Sequence, residues 1–376
     1  MSGLHPDSRS QRPWARLKDF ILERYLPAFV SAAVRNDAIP LIVDAFAGEG
    51  IYADESKGSP AIIADAVSHL QKTKFLHTIG QVHLIFAEKH RTYANRLQQR
   101  MDSYIPNVFD RGALPKWTVV KGSAQQVMEE LLVLFERGIA TRVALFVYLD
   151  PWGIRGVDVD PVARILSLRG QLNCVMTEVL VRFDPRLIRR FLANPRLGEE
   201  WVTRVVGPVS GQNSDEELLE TYISNVKERS GQLLRHCAIC VPSKRNHYFM
   251  VFFTGHDYGC FKMAQEMISA MRKYALDQPL LFTPEWLVEN YLRQYEPSRQ
   301  QVKAVLERLC KEQKRTCTIE EIVSQYCCMF LFPPVFNRPR NTKLWTLQDV
   351  LRELKNAGVI ELRGRLSDPS TVVELR

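Results

Sequence analysis

Residues 41–52, LIVDAFAGEGIY, decide the fold of this 376-residue chain. An apolar run there meets the acidic Asp44 and passes into a glycine-containing turn. Further along, residues 147–156, VYLDPWGIRG, repeat the design, with an apolar run that ends at Asp150. Apolar strands of one parallel sheet deliver the residues that follow them to the same edge. The two stretches therefore predict a single cleft with a carboxylate at each of two strand ends.

Outward from these stretches, apolar runs alternate with helical patterns. Buried strands joined by helices are typical of a doubly wound, mostly parallel, Rossmann-like α/β sheet. Such a sheet binds ligands at the carboxyl ends of its strands. The predicted strands are LIVDAF, VHLIFAE, WTVV, VALFVYLD and LNCVMTEVLV, and the predicted helices are PAIIADAVSHLQK, RTYANRLQQRM, AQQVMEELLVLFERG and DPVARILSLRG.

The pattern changes after Val181. The stretch DPRLIRRFLANPRLGEEW predicts a basic helix, and HYFMVFFTG a late strand beside LLRHCAICV. Three helical patterns, a glycine stop and a short alternating strand close the chain, which is the pattern of a small winged-helix domain. We predict an N-terminal helical segment over 1–38, an α/β domain over 39–275, a connection over 276–298 and a winged-helix-like domain over 299–376.

Charge points to a polyanionic partner. The formal net charge is +8, and residues 299–376 carry fourteen Lys/Arg against nine Asp/Glu. A basic chain of this kind favours nucleic acid, DNA or RNA. Three arginines of the predicted basic helix, Arg186, Arg189 and Arg190, are candidates for phosphate contacts. These arginines, like Arg182 before them, are equally compatible with a solvated face.

No apolar stretch approaches the roughly 18 to 20 residues that span a bilayer. The first residues lack the apolar core of a signal peptide, so we expect a cytoplasmic protein without a membrane partner. The eight cysteines fit that compartment. Cys237 and Cys240 form half of a zinc motif, but no second pair follows at zinc spacing. We therefore expect structural cysteines and no metal.

The glycine turn argues against a phosphate-binding loop. Only Gly48 and Gly50 are present, and the next helix is predicted to begin at Ser59-Pro60, with Ser59 as the N-cap. A dinucleotide-binding turn runs directly into its helix and carries a third glycine. Glu88, after the second strand, is placed to accept hydrogen bonds from ribose hydroxyls. Asp44 suits an ammonium group, which S-adenosylmethionine carries in its amino-acid tail.

The second stretch supplies acceptors for an amino group. Asp150 and the carbonyl of Pro151 are fixed acceptors, and Trp152 offers a stacking face before Gly153. Methyltransferases that act on base amino groups use such a strand end. The Asp-Pro-aromatic-Gly order resembles the corresponding motif of tRNA guanine-N2 methyltransferases. The structural alternative is that Trp152 packs in the core and Asp150 caps the next helix.

Several stretches together resemble the three-Cys-motif partner protein family. They are WARLKDFILERYLPAFV, LIVDAFAGEGIY, KGSPAII, FAEKH, VYLDPWGIRGV and HYFMVFFTGHDYG, and the resemblance covers roughly residues 14 to 270. It implies a class I S-adenosylmethionine-dependent methyltransferase fold, S-adenosylmethionine as cofactor and a separate three-Cys-motif protein as partner. The positions carried over are Asp44, Phe46, Gly48, Gly50 and Glu88 for the cofactor, and Asp150 to Gly153 for catalysis.

One position departs from the usual methyltransferase pattern. After the third strand such enzymes often place an acidic residue that reaches the adenine amino group, whereas VVKGSAQ offers Gly122 and Ser123. Ser123 is the candidate adenine contact. Three hypotheses remain: a nucleic-acid N-methyltransferase, a catalytically inactive methyltransferase-like adapter that brings a partner to nucleic acid, and an NAD-type oxidoreductase, which the missing third glycine disfavours.

Overall fold

The structure is a computed structural model. It describes residues 13–52, 54–72, 76–109, 113–138, 141–151, 153, 156–171, 173–193, 198–209, 213–242, 247–277, 283–312 and 316–375. The described residues divide into two compact units: those within 1–234 and 242–251, and those within 235–241 and 252–376.

The main sheet has seven strands in the order β3-β2-β1-β4-β5-β7-β6. The pairs β1–β2, β1–β4, β2–β3 and β4–β5 are all parallel. This mostly parallel sheet with surrounding helices confirms the predicted fold class. The strands are β1 Ile39–Asp44, β2 His83–Ala87, β3 Lys116–Val120, β4 Val143–Leu149, β5 Cys174–Phe183, β6 Arg235–Pro242 and β7 His247–Thr254.

The strand order reverses between β1 and β4. The chain moves from β1 outward to β2 and β3, and then returns to place β4 on the other side of β1. In open α/β sheets the crevice at such a reversal is the usual ligand site, because the two flanking loops diverge there. Asp44, the last residue of β1, is in register with Tyr148 of β4. The two predicted strand ends are therefore neighbours.

Eight helices described in the first unit accompany these strands. One correction concerns α2: its N-cap is Gly58, and the predicted cap Ser59 is the first helical residue. Ser59 precedes a proline whose fixed φ suits the first turn. The helices are α1 Pro13–Arg35, α2 Ser59–Ser68, α3 Arg91–Val108, α4 Ala124–Glu136, α5 Val159–Ser167, α6 Pro185–Leu192, α7 Gly198–Val205 and α8 Asp215–Ser230.

The core lies around β4. All seven residues of this strand are buried, which is the pattern of a central parallel strand covered on both faces. Helix α1 packs against β1 and α2, and its Phe29 ring lies 5.4 Å from the Phe146 ring of β4, centroid to centroid. Because α1 packs along the same strands that carry the carboxylates, its polar residues can reach the sheet edge.

The second unit combines helices with a small antiparallel sheet. That sheet has the order β8-β10-β9, and β10 is antiparallel to both neighbours. Helices α11, α12 and α13 each begin with a capping box, at Ser298, Thr318 and Thr346. The helices are α9 Asp257–Leu276, α10 Pro284–Leu292, α11 Arg299–Lys311, α12 Ile319–Phe330 and α13 Leu347–Asn356, and the strands are β8 Thr316–Thr318, β9 Ile360–Arg363 and β10 Val372–Leu375.

This order of elements is compatible with the winged-helix prediction for residues 299–376. The stretch 276–298, predicted as a connection, contains α10. Within the described ranges, no helix combines the length and the apolar character needed to cross a bilayer.

Candidate functional site

Asp44 ends β1 as a fully buried carboxyl. Its Oδ1 accepts a hydrogen bond from the backbone N–H of Phe46 at 3.1 Å. Its Oδ2 is also buried, and among the described residues it has no hydrogen bond of normal length. A buried polar atom of this kind is uncommon and calls for a partner. The turn after β1 therefore presents an acceptor that a bound cation or donor could satisfy.

Burial is also the main influence on the protonation of Asp44. It raises the pKa of this carboxyl to about 7, although the Ser59 hydroxyl and the Phe46 N–H both act to lower it. The negative charge of Asp150 raises it further. A carboxyl that titrates near neutrality is commonly found where a site is prepared for a ligand or a proton.

Asp150 follows β4 and is surrounded by cations. Its Oδ2 accepts hydrogen bonds from the ammonium of Lys18 and, at 3.2 Å, from the Tyr148 hydroxyl. Its Oδ1 lies 3.6 Å from Nη1 of Arg182. Burial acts to raise the pKa of Asp150, but the charges of Lys18 and Arg182 outweigh it and hold the pKa below its usual range. Asp150 is therefore an ionised acceptor.

Arg182, on β5, contacts both the Asp150 carboxylate and the backbone carbonyl of Pro151. Its Nη1 donates to the carbonyl of Pro151 at 3.3 Å, and its Nη2 lies 3.6 Å from Asp184 Oδ2. The guanidinium carbon lies 4.4 Å from the centre of the Tyr248 ring, a cation–π distance. Both predicted acceptors, the Asp150 carboxylate and the Pro151 carbonyl, therefore already contact cations of the protein.

Sequence reasoning missed the contribution of α1. Lys18 reaches Asp150, and the pKa of the neighbouring Asp19 is raised to about 7 by burial, against the lowering effect of Lys18. The charges of Asp150 and Asp44 both raise the pKa of Asp19, so the three carboxyl groups belong to one electrostatic cluster. The available signal was the Lys-Asp pair in WARLKDF, directly before an apolar helical pattern.

The turn that contains Gly48 and Gly50 packs against α3 and forms ion pairs with it. Gly48 and Gly50 have φ values of 59° and 78°, which favour glycine. The buried carboxylate of Glu49 contacts Arg96 through Oε1 and Arg100 through Oε2, each at 2.9 Å. A Cβ added to Gly50 would lie 2.7 Å from a methyl carbon of Leu97 on α3. Close packing against α3 therefore requires a glycine at position 50.

We predict that Gly50→Ala destabilises the protein more than Gly138→Ala does. The two glycines have similar φ values, 78° and 82°, but a Cβ at Gly138 would meet no atom within 4 Å. The positive φ lowers the free energy of unfolding of either alanine variant by roughly 1–2 kcal/mol, and overpacking lowers it by about 1–3 kcal/mol more at position 50 only. Urea unfolding of both variants measures the difference. Equal losses would contradict the packing explanation.

Phe46 occupies the space between two loops. Its ring lies so close to Gly156, in the loop after β4, that a Cβ at Gly156 would be 2.8 Å from the ring carbon Cζ. The same Cβ would lie 3.3 Å from Cβ of Ala124, the first residue of α4. The half-buried Phe46 ring therefore lies between the β1 turn and the loop after β4.

Glu88 and Ser123 lie at the next strand ends. Oε1 of Glu88 accepts from the backbone N–H of His90 at 2.7 Å, and its carbonyl accepts from the N–H of Gly122 at 3.2 Å. Ser123 is the N-cap of α4 in a capping box with Gln126. Its hydroxyl accepts from the Gln126 N–H and donates to the Gln126 side chain. Ser123 therefore has a structural role in addition to the predicted adenine contact.

The remaining predicted site residues lie in the loop after β4 and on α6. Pro151 is buried, and a Cβ at Gly153 would meet no atom within 4 Å, whereas Trp152 lies outside the described residues. On α6, Arg186 and Arg190 are exposed. Arg189 pairs with Asp215 and donates to the carbonyl of Asn213 at 2.8 Å, so it is less available for phosphate.

The described residues hold no cluster of three or more histidine, cysteine or acidic side chains suited to a metal ion. All eight cysteines are free thiols, and Cys237 is buried on β6 while Cys240 is partly exposed.

Comparisons with known proteins give similarities of fold. No protein-family model matches the sequence, and no curated protein matches it. Trm1 from Pyrococcus horikoshii, solved with S-adenosyl-L-methionine, is 11% identical over 98% of this chain and 92% of its own, with a TM-score of 0.41. The O-methyltransferase TomG from Streptomyces achromogenes, solved with SAM, is 12% identical over 66% and 82%, with a TM-score of 0.34.

An O-methyltransferase from Bacillus cereus, solved with SAH, is 9% identical over 66% of this chain and 83% of its own, with a TM-score of 0.35. These identities and TM-scores are too low to assign an activity or a ligand to this chain. The mostly parallel, Rossmann-like fold class therefore rests on the strand order and registers described above.

Proposed function

We propose that this protein is an S-adenosylmethionine-dependent methyltransferase that acts on an exocyclic amino group of a base in nucleic acid. The observation that carries the proposal is the pair of carboxylates at the strand-order reversal. Asp44 keeps a buried oxygen without a hydrogen bond among the described residues, and Asp150 is ionised at the adjacent strand end.

The residues present fit the cofactor. Oδ2 of Asp44, which has no hydrogen bond of normal length among the described residues, suits an ammonium group, and Glu88, at the end of the neighbouring β2, suits a ribose hydroxyl. Phe46, between the β1 turn and the loop after β4, would contact the bound cofactor. The turn lacks a third glycine, and α2 begins only at Ser59, so a diphosphate has no helix N-terminus directly after the turn. This favours S-adenosylmethionine over NAD.

The chemistry asked of the protein is alignment and exclusion of water. When bound, S-adenosylmethionine supplies an activated methyl group. The Asp150 carboxylate and the Pro151 carbonyl would accept hydrogen bonds from the substrate amino group, and Trp152 would stack on the base. Asp150 would then take up the proton that the amine loses and pass it to solvent. For this role, Lys18 has to leave Oδ2 when the substrate arrives.

The polymer would be held by basic surfaces. Arg186 and Arg190 are exposed on α6, and the formal net charge of the chain is +8. The elements from α11 to β10 are compatible with the proposed winged helix, and we propose that this segment contributes to nucleic-acid binding. A three-Cys-motif protein remains the proposed partner, on the sequence resemblance alone.

One observation favours the inactive adapter as a second candidate. Both predicted amine acceptors already contact protein cations, Lys18 on Asp150 and Arg182 on the Pro151 carbonyl. If these contacts persist when nucleic acid binds, no amino group can be held at the strand end. The protein would then bind a polymer and a partner without methyl transfer.

Two measurements on the full chain test the proposal. Isothermal titration calorimetry with S-adenosylmethionine and with NAD is expected to show binding of the first only. Transfer of a tritiated methyl group to bulk RNA and DNA is expected to label one of the two polymers. Cofactor binding without any label would favour the adapter, and binding of NAD alone would overturn the proposal.

A further inference from the structure

The second unit carries an exposed tryptophan among cations. We call Arg338, Arg340, Lys343, Trp345 and Arg352 the tryptophan patch. Trp345 is 41% exposed, although tryptophan is a residue type that is usually well buried. Arg338, Arg340, Lys343 and Arg352 are also exposed. The patch lies in the segment that leads into α13 and on the first turns of that helix.

A single carboxylate brings two members of the patch together. Asp349 accepts from Arg338 Nη2 at 2.8 Å and from Arg352 Nη1 at 3.0 Å, so the two guanidinium groups are neighbours. Asp349 also caps α13 through Thr346, the residue directly after Trp345. Trp345 therefore directly precedes the cap whose carboxylate the two arginines share, and the four cations outnumber the three carboxylates that contact this segment, Asp349, Glu289 and Glu296.

The backbone of the segment is held rigidly. The N–H of Lys343 donates to Glu289 Oε1 at 2.6 Å, and the N–H of Trp345 donates to Glu296 Oε1 at 3.1 Å. The N–H of Leu347 donates to the Val335 carbonyl at 2.8 Å. Because two carboxylates and one carbonyl hold the main chain, the backbone of the segment needs little ordering on binding.

Arg340 and Lys343 have no ion-pair partner in the described part of the chain, so their charges are available to a ligand. An exposed aromatic ring in the same segment as two unpaired cations, Arg340 and Lys343, matches the requirements of unpaired nucleic acid: the cations contact the phosphates, and the ring stacks on a base. A protein partner with an acidic surface would use the cations but would not require the aromatic face.

We propose that the tryptophan patch binds single-stranded nucleic acid, with Trp345 stacking on a base and the cations contacting the flanking phosphates. This deepens the proposed function, because it identifies the surface that would hold the unpaired strand from which a base is presented. The binding itself needs neither cofactor nor methyl transfer.

The test is fluorescence anisotropy of the full chain with 5′-fluorescein-labelled 20-nucleotide probes, without cofactor. The probes are a single-stranded RNA, the single-stranded DNA of the same sequence and its duplex. We expect Trp345→Leu to weaken single-strand binding by about 5- to 100-fold, the range of base–aromatic stacking. Trp286→Leu is the matched control, since Trp286 is 46% exposed in the same unit beside the acidic Glu285, and should change binding less than about twofold.

The charge of the patch gives a second readout. For Arg340→Ala/Lys343→Ala, the slope of log Kd against log salt should fall by about 1.4, since each phosphate contact to a single strand contributes about 0.7. Melting temperatures confirm that each variant is folded. The proposal is overturned if Trp345→Leu binds single strands as the wild type does, if the duplex binds more tightly than the single strands, or if none of the three probes binds at 50 mM salt.

Failure here and failure of the proposed function can be distinguished. Suppose that methyl transfer depends on Asp150 but not on Trp345, and that Trp345→Leu leaves single-strand binding unaffected. This result would refute the proposal for the tryptophan patch and support the proposed methyltransferase. Suppose instead that Trp345→Leu loses single-strand binding and that the wild type transfers no methyl group to any polymer. This result would support the proposal for the tryptophan patch and refute the proposed methyltransferase.

Discussion

Asp150→Asn is expected to reduce methyl transfer by about 100- to 1,000-fold while leaving the affinity for S-adenosylmethionine within about threefold. Removal of one well-placed polar group at a reacting centre typically has an effect of the first size. Asparagine keeps the shape of the side chain but lacks the charge that Lys18 and Arg182 now meet. Single-turnover transfer of a tritiated methyl group measures the rate, and calorimetry measures cofactor binding.

A loss of stability must be separated from a loss of chemistry. Breaking a buried ion pair by removing one partner often costs about 3–5 kcal/mol, so Asp150→Asn will also lower the melting temperature. Lys18→Met breaks the same pair from the other side. If the carboxylate acts on the substrate, Lys18→Met retains methyl transfer despite a similar loss of stability. Equal losses of rate in both variants would show that the pair is only structural.

Asp158→Asn is the matched control for Asp150→Asn. Asp158 is also a buried carboxylate of the first unit and lies 3.8 Å from Nε of Arg204. It is the N-cap of α5. We expect the rate of this variant to stay within about threefold of the wild type, since small effects are usual away from the reacting groups. A large loss of rate in this variant would mean that a general weakening of the fold accounts for the effect at Asp150.

Asp44→Asn is expected to weaken S-adenosylmethionine binding by about 10- to 100-fold, because a buried charged partner of the ligand ammonium is lost. The wild type should bind more tightly as the pH rises from 6 to 7.5. The pKa of Asp44 is about 7, and only the ionised carboxylate attracts an ammonium group. The affinity of the wild type for S-adenosylmethionine should rise about five- to tenfold between pH 6 and pH 7.5, and the affinity of Asp44→Asn should not rise. Calorimetry at three pH values measures both effects.

The stability of the apo protein has the opposite pH dependence. The pKa of Asp44 is raised in the folded state from 3.8 to about 7, so its contribution is fully present below pH 3.8 and is lost as the pH rises through 7. In urea unfolding, the free energy of unfolding of Asp44→Asn minus that of the wild type should therefore be larger at pH 8 than at pH 5. Glu49→Gln changes a carboxylate of the same turn that is already paired with two arginines, and should not alter this pattern. An unchanged pH profile in Asp44→Asn would contradict the role of burial at this position.

The carboxylate positions could be predicted from the sequence. The apolar runs before Asp44 and Asp150 predicted adjacent strand ends, and the structure places the end of β1 in register with Tyr148 of β4. The surroundings of Asp150 could not be predicted in the same way. Arg182 was compatible with a solvated face, but its side chain is only 19% exposed and contacts Asp150. Lys18 lies in a helical pattern in which a lysine normally faces solvent.

The sequence by itself determined the periodicity and composition of the elements: buried apolar runs that form a parallel sheet, helices between them, and acidic residues at the strand ends. These features are local, since each depends on residues a few positions apart. Only the tertiary structure decided that Lys18, 132 residues before Asp150, meets it, that Gly50 packs against α3, and that Ser123 is committed to a helix cap. Contacts over such separations depend on how whole elements pack, because many distant pairs are compatible with the same local pattern.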